Sequence, residues 1–278
     1  MSNIKKIENL TEIKKILWNG SINLKITHKS SNENIEFLIQ VYRNSYLPFI
    51  YEQIITYFKN FLSTNDVKDF NKIWLEYENV PLKWNYPSGV LYDYLYLPGN
   101  FNNQQHIWNL DLKFETADQK YPSDYIIPTR RFESDIWENN LNEILVNQLK
   151  QSCFVINGTS KPIMQLSEQN SKNLWKSIKF RNLNEFSYVN KKILKQVKNI
   201  PIKLIVPSDA GNVIQVPGSP LLTLKEFLKM NCSNLYDISI PVIQGIDVTS
   251  LLDLQLIEIW ELFKHLDNVL YITNIIKS

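Results

Sequence analysis

The side chains that could do chemistry in this 278-residue chain are few and far apart. His28, His106 and His265 have no cysteine or carboxylate at metal-ligand spacing, so they read as ordinary histidines rather than zinc ligands or members of a triad. The glycines are scattered, and none opens a turn followed by Lys-Ser or Lys-Thr, so the sequence carries no phosphate cradle. Glu76 and Glu78 stand two apart in a strand pattern, where neighbouring carboxylates can raise each other's pKa; a solvated strand face is the simpler reading. Cys153 is the one nucleophile that could form a thioester. It is followed by Phe154, Val155 and Ile156, and an apolar setting hides a thiol and holds it protonated, which favours a buried structural cysteine. Lys191, Lys192, Lys195 and Lys198 would line one side of a helix and could touch anionic lipid, although a solvated face explains them as well. Trp74, Tyr77, Trp84, Tyr86, Tyr92 and Tyr94 fall mostly on core positions, with Trp84 and Tyr86 expected to be the exposed ones.

The elements that would hold these residues can be read from periodicity. A helix at Ile7 to Ile16 precedes two alternating runs, Ile22, Leu24, Ile26 and then Ile35, Phe37, Ile39, Val41, which make a hairpin with one buried face. Ile50, Ile54, Tyr57, Phe58 and Phe61 recur at helical spacing just after Pro48. A strand through Ile73, Leu75 and Tyr77, a short helix with Val90, Leu91, Tyr94 and Leu95, and a strand through Trp108, Leu110, Leu112 and Phe114 complete the order. A hairpin, a helix laid across it and later strands closing the sheet is the β-grasp arrangement of ubiquitin.

The last 80 or so residues repeat that order. Strands at Ile202, Leu204, Val206 and at Ile214, Val216 are joined around Gly211 and Asn212, and Thr223 with Glu226 forms a capping box opening a short helix. A strand (Ile238, Ile240, Val242), a helix (Leu252, Leu256, Ile259, Phe263, Leu266) and a closing strand (Val269, Tyr271, Thr273) follow. Between the two repeats lie helical patterns over Ile136 to Ser152, Glu168 to Lys179 and Asn184 to Val197, reached through a proline-containing linker from Thr116 to Arg131. The fold class is therefore α+β: two ubiquitin-like β-grasp domains flanking a helix-rich domain. The expected divisions are an N-terminal helix over 1–16, a first ubiquitin-like domain over 17–118, a linker and helix-rich domain over 119–198, and a second ubiquitin-like domain over 199–278.

A net charge of +2 supplies no field to hold a phosphate backbone, which argues against nucleic acid as a partner. The first ten residues lack a secretion signal and no run approaches a membrane span, so an intracellular chain is expected, with Cys153 and Cys232 as free buried thiols. In that compartment the acceptor patterns at Asn19, Asn157 and Asn231 go unglycosylated, and Asn19-Gly20 and Asn157-Gly158 read as turns.

The stretch Ile73 to Leu95, Ile-Trp-Leu-Glu-Tyr-Glu-Asn-Val-Pro-Leu-Lys-Trp-Asn-Tyr-Pro-Ser-Gly-Val-Leu-Tyr-Asp-Tyr-Leu, resembles the autophagy protein 5 family. Lys150 to Met164, Lys-Gln-Ser-Cys-Phe-Val-Ile-Asn-Gly-Thr-Ser-Lys-Pro-Ile-Met, is similar to its fungal members, and Leu17 to Gly20, Val242 to Ile246 and Leu270 to Thr273 extend the likeness across nearly the whole chain. The resemblance implies a substrate and scaffold rather than an enzyme, with no cofactor. It implies covalent linkage of one lysine to the C-terminal glycine of the ubiquitin-like autophagy protein 12, through the conjugating enzyme autophagy protein 10. It further implies a groove shared by three domains for autophagy protein 16, and contact with the conjugating enzyme autophagy protein 3 through the conjugate. Together these would stimulate transfer of autophagy protein 8 to phosphatidylethanolamine, an E3-like activity, peripherally on the membrane of the preautophagosomal structure and in the cytoplasm.

By position in the matched stretch the implied acceptor is Lys150. Leu149 stands where fungal members usually carry Trp, which puts the local packing in question. Helix geometry agrees: Trp137, Leu141, Ile144, Leu145 and Leu149 form an apolar stripe, and Lys150 points about 175° from its centre at about 100° per residue. Val146 lies on the same outward side. Periodicity alone does not single out Lys150 among so many lysines. Two rivals remain open: a thioester-forming enzyme using Cys153, and an adaptor with no covalent linkage.

Overall fold

The computed structural model describes residues 2–29, 34–62, 69–100, 106–116, 119–127, 136–207 and 212–277. In chain order the elements are α1 (Ser2–Asn19), β1 (Ser21–Lys29), β2 (Asn34–Tyr42), α2 (Pro48–Phe58), β3 (Asp69–Tyr77), β4 (Val80–Pro81), α3 (Ser88–Leu95), α4 (Leu97–Asn100) and β5 (Ile107–Glu115). Then come α5 (Ile136–Asn157), α6 (Lys161–Met164), α7 (Glu168–Lys179), α8 (Leu183–Ile193), β6 (Ile200–Val206), β7 (Asn212–Gly218), α9 (Leu224–Asn231), α10 (Ser233–Tyr236), β8 (Ser239–Ile243), β9 (Ile246–Asp247), α11 (Leu256–Phe263) and β10 (Leu270–Ile276). The chain divides into two compact units, residues 21–144 and residues 1–20 with 145–278.

In the first unit β1 and β2 pair antiparallel without a break from Ser21↔Tyr42 to Lys29↔Asn34. Ile22, Leu24, Ile26 and Val41 are buried while the residues between those of β2 face solvent, as alternation predicts. Pro48 occupies the first turn of α2, where its missing N–H costs nothing, and Ile50, Ile54 and Phe58 bury the helix face. α2 stops at Phe58, so Phe61, expected to continue it, lies exposed beyond its end. The sheet order is β2-β1-β5-β3-β4, with β5 parallel to β1 through Leu24↔Trp108 and antiparallel to β3. A parallel neighbour needs a long crossover, which α2 and the elements after it supply.

The 119–127 segment forms no helix or strand, as Pro122 and the lack of a clear period predict, yet Ile126 is buried and the Trp84 indole N–H donates to the Ile127 carbonyl at 2.7 Å. This corrects the expectation for Trp84: at 2% exposure it is core, covered by residues 43 positions away that no local pattern reveals. Pro128 lies outside the described residues.

The second unit repeats the sheet as β7-β6-β10-β8-β9, with β10 parallel to β6 through Leu270↔Ile202 and antiparallel to β8. The capping box forms: the Thr223 hydroxyl accepts from the Glu226 N–H at 3.2 Å and the Glu226 carboxylate accepts from the Thr223 N–H at 2.8 Å. Gln255 and Glu258 make a second box that opens α11. That helix is shorter than expected, leaving Leu252 in the preceding turn and Leu266 in the loop beyond.

The strand phase also needs correcting. Ile243, Leu270 and Ile272 enter the core with Leu204, Phe227, Ile259 and Trp260, whereas Ile238 is exposed. Tyr271 and Thr273 are buried too, because β10 is the central strand and is covered on both faces. Alternation cannot report which face is the core when both are dry. Gly211, where the β6–β7 turn was expected, lies outside the described residues.

In the helical part, α7 has the expected bounds, but α8 ends at Ile193, where Leu194 turns to extended backbone. α1 is fixed by Trp18. Its indole N–H donates to the Arg181 carbonyl at 3.1 Å, and the Arg181 guanidinium stacks 4.3 Å above the indole while donating to the Trp18 carbonyl. Arg181 holds φ +58° to do so. Among the described residues no helix is long and apolar enough to cross a membrane. The two sheets with their crossing helices, and the helix-rich middle, make this an α+β chain of two ubiquitin-like domains flanking a helical region.

Candidate functional site

Along α5, Leu145, Leu149, Cys153 and Ile156 recur at helical spacing and are all buried. Leu149 is fully buried, so the residue standing in place of a tryptophan fills core and leaves its neighbour's direction unchanged. That neighbour, Lys150, is exposed, and Val146 one turn earlier is half-buried. The helix ends at Asn157, and Gly158 takes φ +74°, its N–H donating to the Phe154 carbonyl at 2.8 Å.

The end of α5 is fixed by one side chain. Asn157 Nδ2 donates to the carbonyls of Cys153 at 3.1 Å and Ile193 at 3.0 Å, while its Oδ1 accepts from the N–H groups of Lys195 at 2.9 Å and Gln196 at 3.2 Å. The Lys198 N–H adds a bond to the Ile156 carbonyl at 2.7 Å. Asn157 therefore stitches the helix terminus to the chain leaving α8, which fixes where Lys150 stands relative to the second sheet of the same unit. Both Asn-Gly pairs sit at helix ends, Asn19-Gly20 after α1 and Asn157-Gly158 after α5, rather than in hairpin turns.

Beside Lys150 opens a cleft of about 610 Å³ between α5 and the β6–β7 hairpin. Phe154, Val155, Pro201 and Val216 give it a mostly apolar wall, and Lys150 and Lys203 are its charged members; no carboxylate lines it among the described residues. Phe154 is 60% exposed, a large apolar side chain left in water at the mouth of the cleft. Lys203 lies 5.4 Å from the Tyr271 ring, whose hydroxyl donates to Asp267 at 2.6 Å. Burial pushes the Asp267 carboxyl up from the usual aspartate range, opposed by the Lys203 charge and by hydrogen bonds from Tyr271 and the Val269 N–H. The cleft could not be read from the sequence, because its walls come from segments some 50 to 60 residues apart and neither carries a motif.

The remaining candidates are dispersed. Cys153 is fully buried, with its thiol 3.5 Å from the Thr159 carbonyl and 3.2 Å from Asn157 Nδ2. Cys232 is buried as well, and burial pushes its thiol up against a weak hydrogen bond from Asn274. His28 donates from Nδ1 to the Leu112 carbonyl at 2.9 Å, His106 is exposed, and the buried His265 ring meets Tyr271 edge-on. Glu76 is not solvated surface: it is buried and accepts from the Trp74 indole N–H at 2.7 Å, with Lys113 at 3.8 Å. Glu78 lies past the end of β3 with φ +50°, so the two carboxylates do not share a strand face. Lys191 and Lys192 are on α8, but Lys195 and Lys198 follow its end and do not continue a helical side. Tyr86 is half-buried.

Three family models match the chain in order. They are "Autophagy protein ATG5, UblA domain" over residues 17–114, "Autophagy protein ATG5, alpha-helical bundle region" over 138–196, and "Autophagy protein ATG5, UblB domain" over 199–273. Autophagy protein 5 of Candida albicans is 51% identical, covering 97% of this chain and 99% of that protein. The Lodderomyces elongisporus protein is 45% identical over 98% of this chain and 99% of its own length. Among solved structures, the crystal structure of Kluyveromyces marxianus Atg5 superimposes with a TM-score of 0.79 at 26% identity, over 95% of this chain and 99% of that one.

Proposed function

The chain belongs to the autophagy protein 5 family, and from that premise we propose that it is the acceptor and scaffold of a ubiquitin-like conjugation reaction, with Lys150 as the acceptor residue. The observation that carries this reading is the exposure of Lys150 on a helix that Leu149, Cys153 and Asn157 hold rigidly from the other side. The modifier is autophagy protein 12, delivered as a thioester on autophagy protein 10. The lysine amine loses its proton to a base on the enzyme and attacks the glycine thioester carbonyl. A C–N bond forms, the C–S bond breaks, and the enzyme's cysteine leaves as thiolate.

In this reading catalysis belongs to the partners, and the chain presents the amine. The conjugate, held non-covalently by autophagy protein 16, stimulates autophagy protein 3 to transfer autophagy protein 8 to phosphatidylethanolamine, peripherally at the preautophagosomal membrane. The domains doing so are 17–118, 119–198 and 199–278, after the helix at 1–16. A thioester route through Cys153 would need a thiol that lies fully buried among backbone carbonyls to reach an incoming enzyme.

The test is a reconstituted reaction with the activating and conjugating enzymes and the modifier. A thiol-resistant adduct on a denaturing gel, with the glycine-to-lysine linkage mapped to Lys150 by mass spectrometry, is the expected result. A thiol-sensitive adduct at Cys153, or no adduct, would overturn the reading.

A further inference from the structure

One edge of the first sheet is β2. It pairs with β1 along its whole length, from Asn34 to Tyr42, without a bulge, and among the described residues no strand pairs with its other side. Folded chains usually blunt such an edge with lysine, proline, a bulge or brevity, because an open row of backbone groups is a template for another strand. The remaining edges of the two sheets follow that rule: β4 and β9 span two residues each, and β7 carries Pro217. The β2 edge does not. Its sequence, Asn-Ile-Glu-Phe-Leu-Ile-Gln-Val-Tyr, has no lysine or proline, and Leu38 stands 68% exposed at its centre. The apolar surface continues to the end of α2, where Tyr57 stacks on Phe37 at 4.4 Å and meets Phe61, itself 58% exposed, at 5.1 Å.

We propose that β2 pairs antiparallel with β2 of a second copy of this chain, about a two-fold axis at Leu38, joining their two five-stranded sheets into one. The strand's own symmetry selects this occupant. About that axis Leu38 faces Leu38, Phe37 faces Ile39, Ile35 faces Val41, Asn34 faces Tyr42, and Glu36, the strand's only charge, faces the Gln40 amide rather than its own copy. Apolar residues therefore meet apolar ones, and the carboxylate gains a donor. Moving the axis by one residue sets Leu38 against Glu36 or Gln40 and shortens the pairing to 34–40 or 36–42. An axis normal to the sheet also puts both α2 helices on one side, so Tyr57 and Phe61 of each copy flank the paired Phe37 and Ile39. The Glu36 carbonyl accepts from the Tyr57 hydroxyl at 3.0 Å and keeps a second lone pair for a ladder bond. A foreign peptide would require none of this palindrome in β2. A strand pair about 30 Å long gives less than the roughly 800 Å² per partner of a standard interface, which makes the dimer weak and concentration-dependent. The inference is independent of which lysine is the acceptor.

Sedimentation equilibrium of the full chain between about 10 and 300 μM tests the association, and cysteine cross-linking with oxidised glutathione tests the register. A dimer fraction that rises with concentration is expected. Leu38→Cys should form a disulfide-linked dimer by itself, whereas Glu36→Cys and Gln40→Cys should cross-link when mixed and neither alone. The wild-type chain is the control, since Cys153 and Cys232 are buried. Leu38→Lys, at an exposed position, should weaken the dimer about ten-fold or more at an unchanged thermal midpoint. A chain that stays monomeric throughout, a dimer undiminished by Leu38→Lys, or Glu36→Cys linking to itself as fast as to Gln40→Cys overturns the proposal. Protection of the β2 amides from hydrogen exchange that appears only in the conjugate, and never in the concentrated free chain, assigns this edge to the modifier and likewise overturns it.

Discussion

Asn190 on α8 and Asn268 in the loop before β10 exchange a pair of hydrogen bonds, each amide donating to the other's Oδ1, at 2.7 and 2.8 Å, across 78 residues of sequence. Both are buried, Asn268 sits at φ +63°, and its carbonyl accepts from the Trp260 indole N–H at 2.7 Å. A helix of the central region is thereby bonded to the second ubiquitin-like sheet within one unit. Asn190→Ala would strand two polar groups of Asn268 out of reach of water, at a cost of about 1–3 kcal/mol. The double replacement should cost less than the sum of the two single ones, since neither partner is then left behind. Urea unfolding of the four proteins measures the coupling, and additive effects would show the pair to be energetically idle.

Asp267 gives the same region a pH dependence with a definite sign. Burial raises its folded-state pKa above the ordinary aspartate value. The folded state therefore binds the proton more tightly than the unfolded state. Asp267's contribution to stability is complete below the unfolded value and is lost as pH rises through the raised one. Asp267→Asn cannot ionise, so the variant should gain on the wild type as the pH climbs out of the ordinary aspartate range. Denaturation midpoints of both proteins between pH 4 and pH 8 would check this; a difference independent of pH, or one that grows the other way, removes the argument.

Much of the fold could be read in advance, and the exceptions share a cause. The β1–β2 hairpin has one wet face, so alternation placed Ile22, Leu24 and Ile26 correctly. The Thr223–Glu226 box was visible because its residue types are the usual ones, whereas Gln255 is an uncommon N-cap and its box was not. Trp84, Glu76 and the strand phase of β8 and β10 escape a local reading because distant segments set their environments: the Ile127 carbonyl for Trp84, Lys113 for Glu76, and the paired strands for β8 and β10. The site divides likewise. The outward direction of Lys150 follows from helix periodicity and its choice as acceptor from the family likeness, but the cleft exists only once β6 and β7 are folded against α5.

Cys153→Ser separates a structural thiol from a catalytic one. The site already offers the Thr159 carbonyl as an acceptor and Asn157 Nδ2 as a donor, so the hydroxyl has partners and the cost should be about 1 kcal/mol. Conjugation should proceed at close to the normal rate. In the folded protein a thiol reagent should modify Cys232 before Cys153, and both slowly, since Cys232 is 8% exposed, Cys153 is 0% exposed, and burial pushes the Cys232 thiol up. A folded Cys153→Ser protein that is never conjugated would return the thioester reading to contention.

Lys150→Arg tests the acceptor assignment most directly, because it keeps the positive charge and most of the aliphatic stem while removing the chemistry. A lysine amine, with a pKa of about 10.4 in model peptides, can be deprotonated when held against a thioester; a guanidinium, above about 12, cannot at cellular pH. Lys150 is exposed, and Leu149 and Cys153 on the buried side of α5 are untouched by the change, so the shift in stability should stay below about 0.5 kcal/mol. The cleft should also survive, since Phe154, Val216 and Lys203 remain. The expected protein is soluble and normally folded, still able to bind its non-covalent partner, with no covalent conjugate and no stimulation of autophagy protein 8 lipidation. Circular dichroism, partner binding and the reconstituted conjugation assay together distinguish lost chemistry from lost structure. A Lys150→Arg variant that still forms the conjugate, with mass spectrometry placing the linkage at another amine such as Lys161, would move the acceptor site without disturbing the family to which the chain belongs.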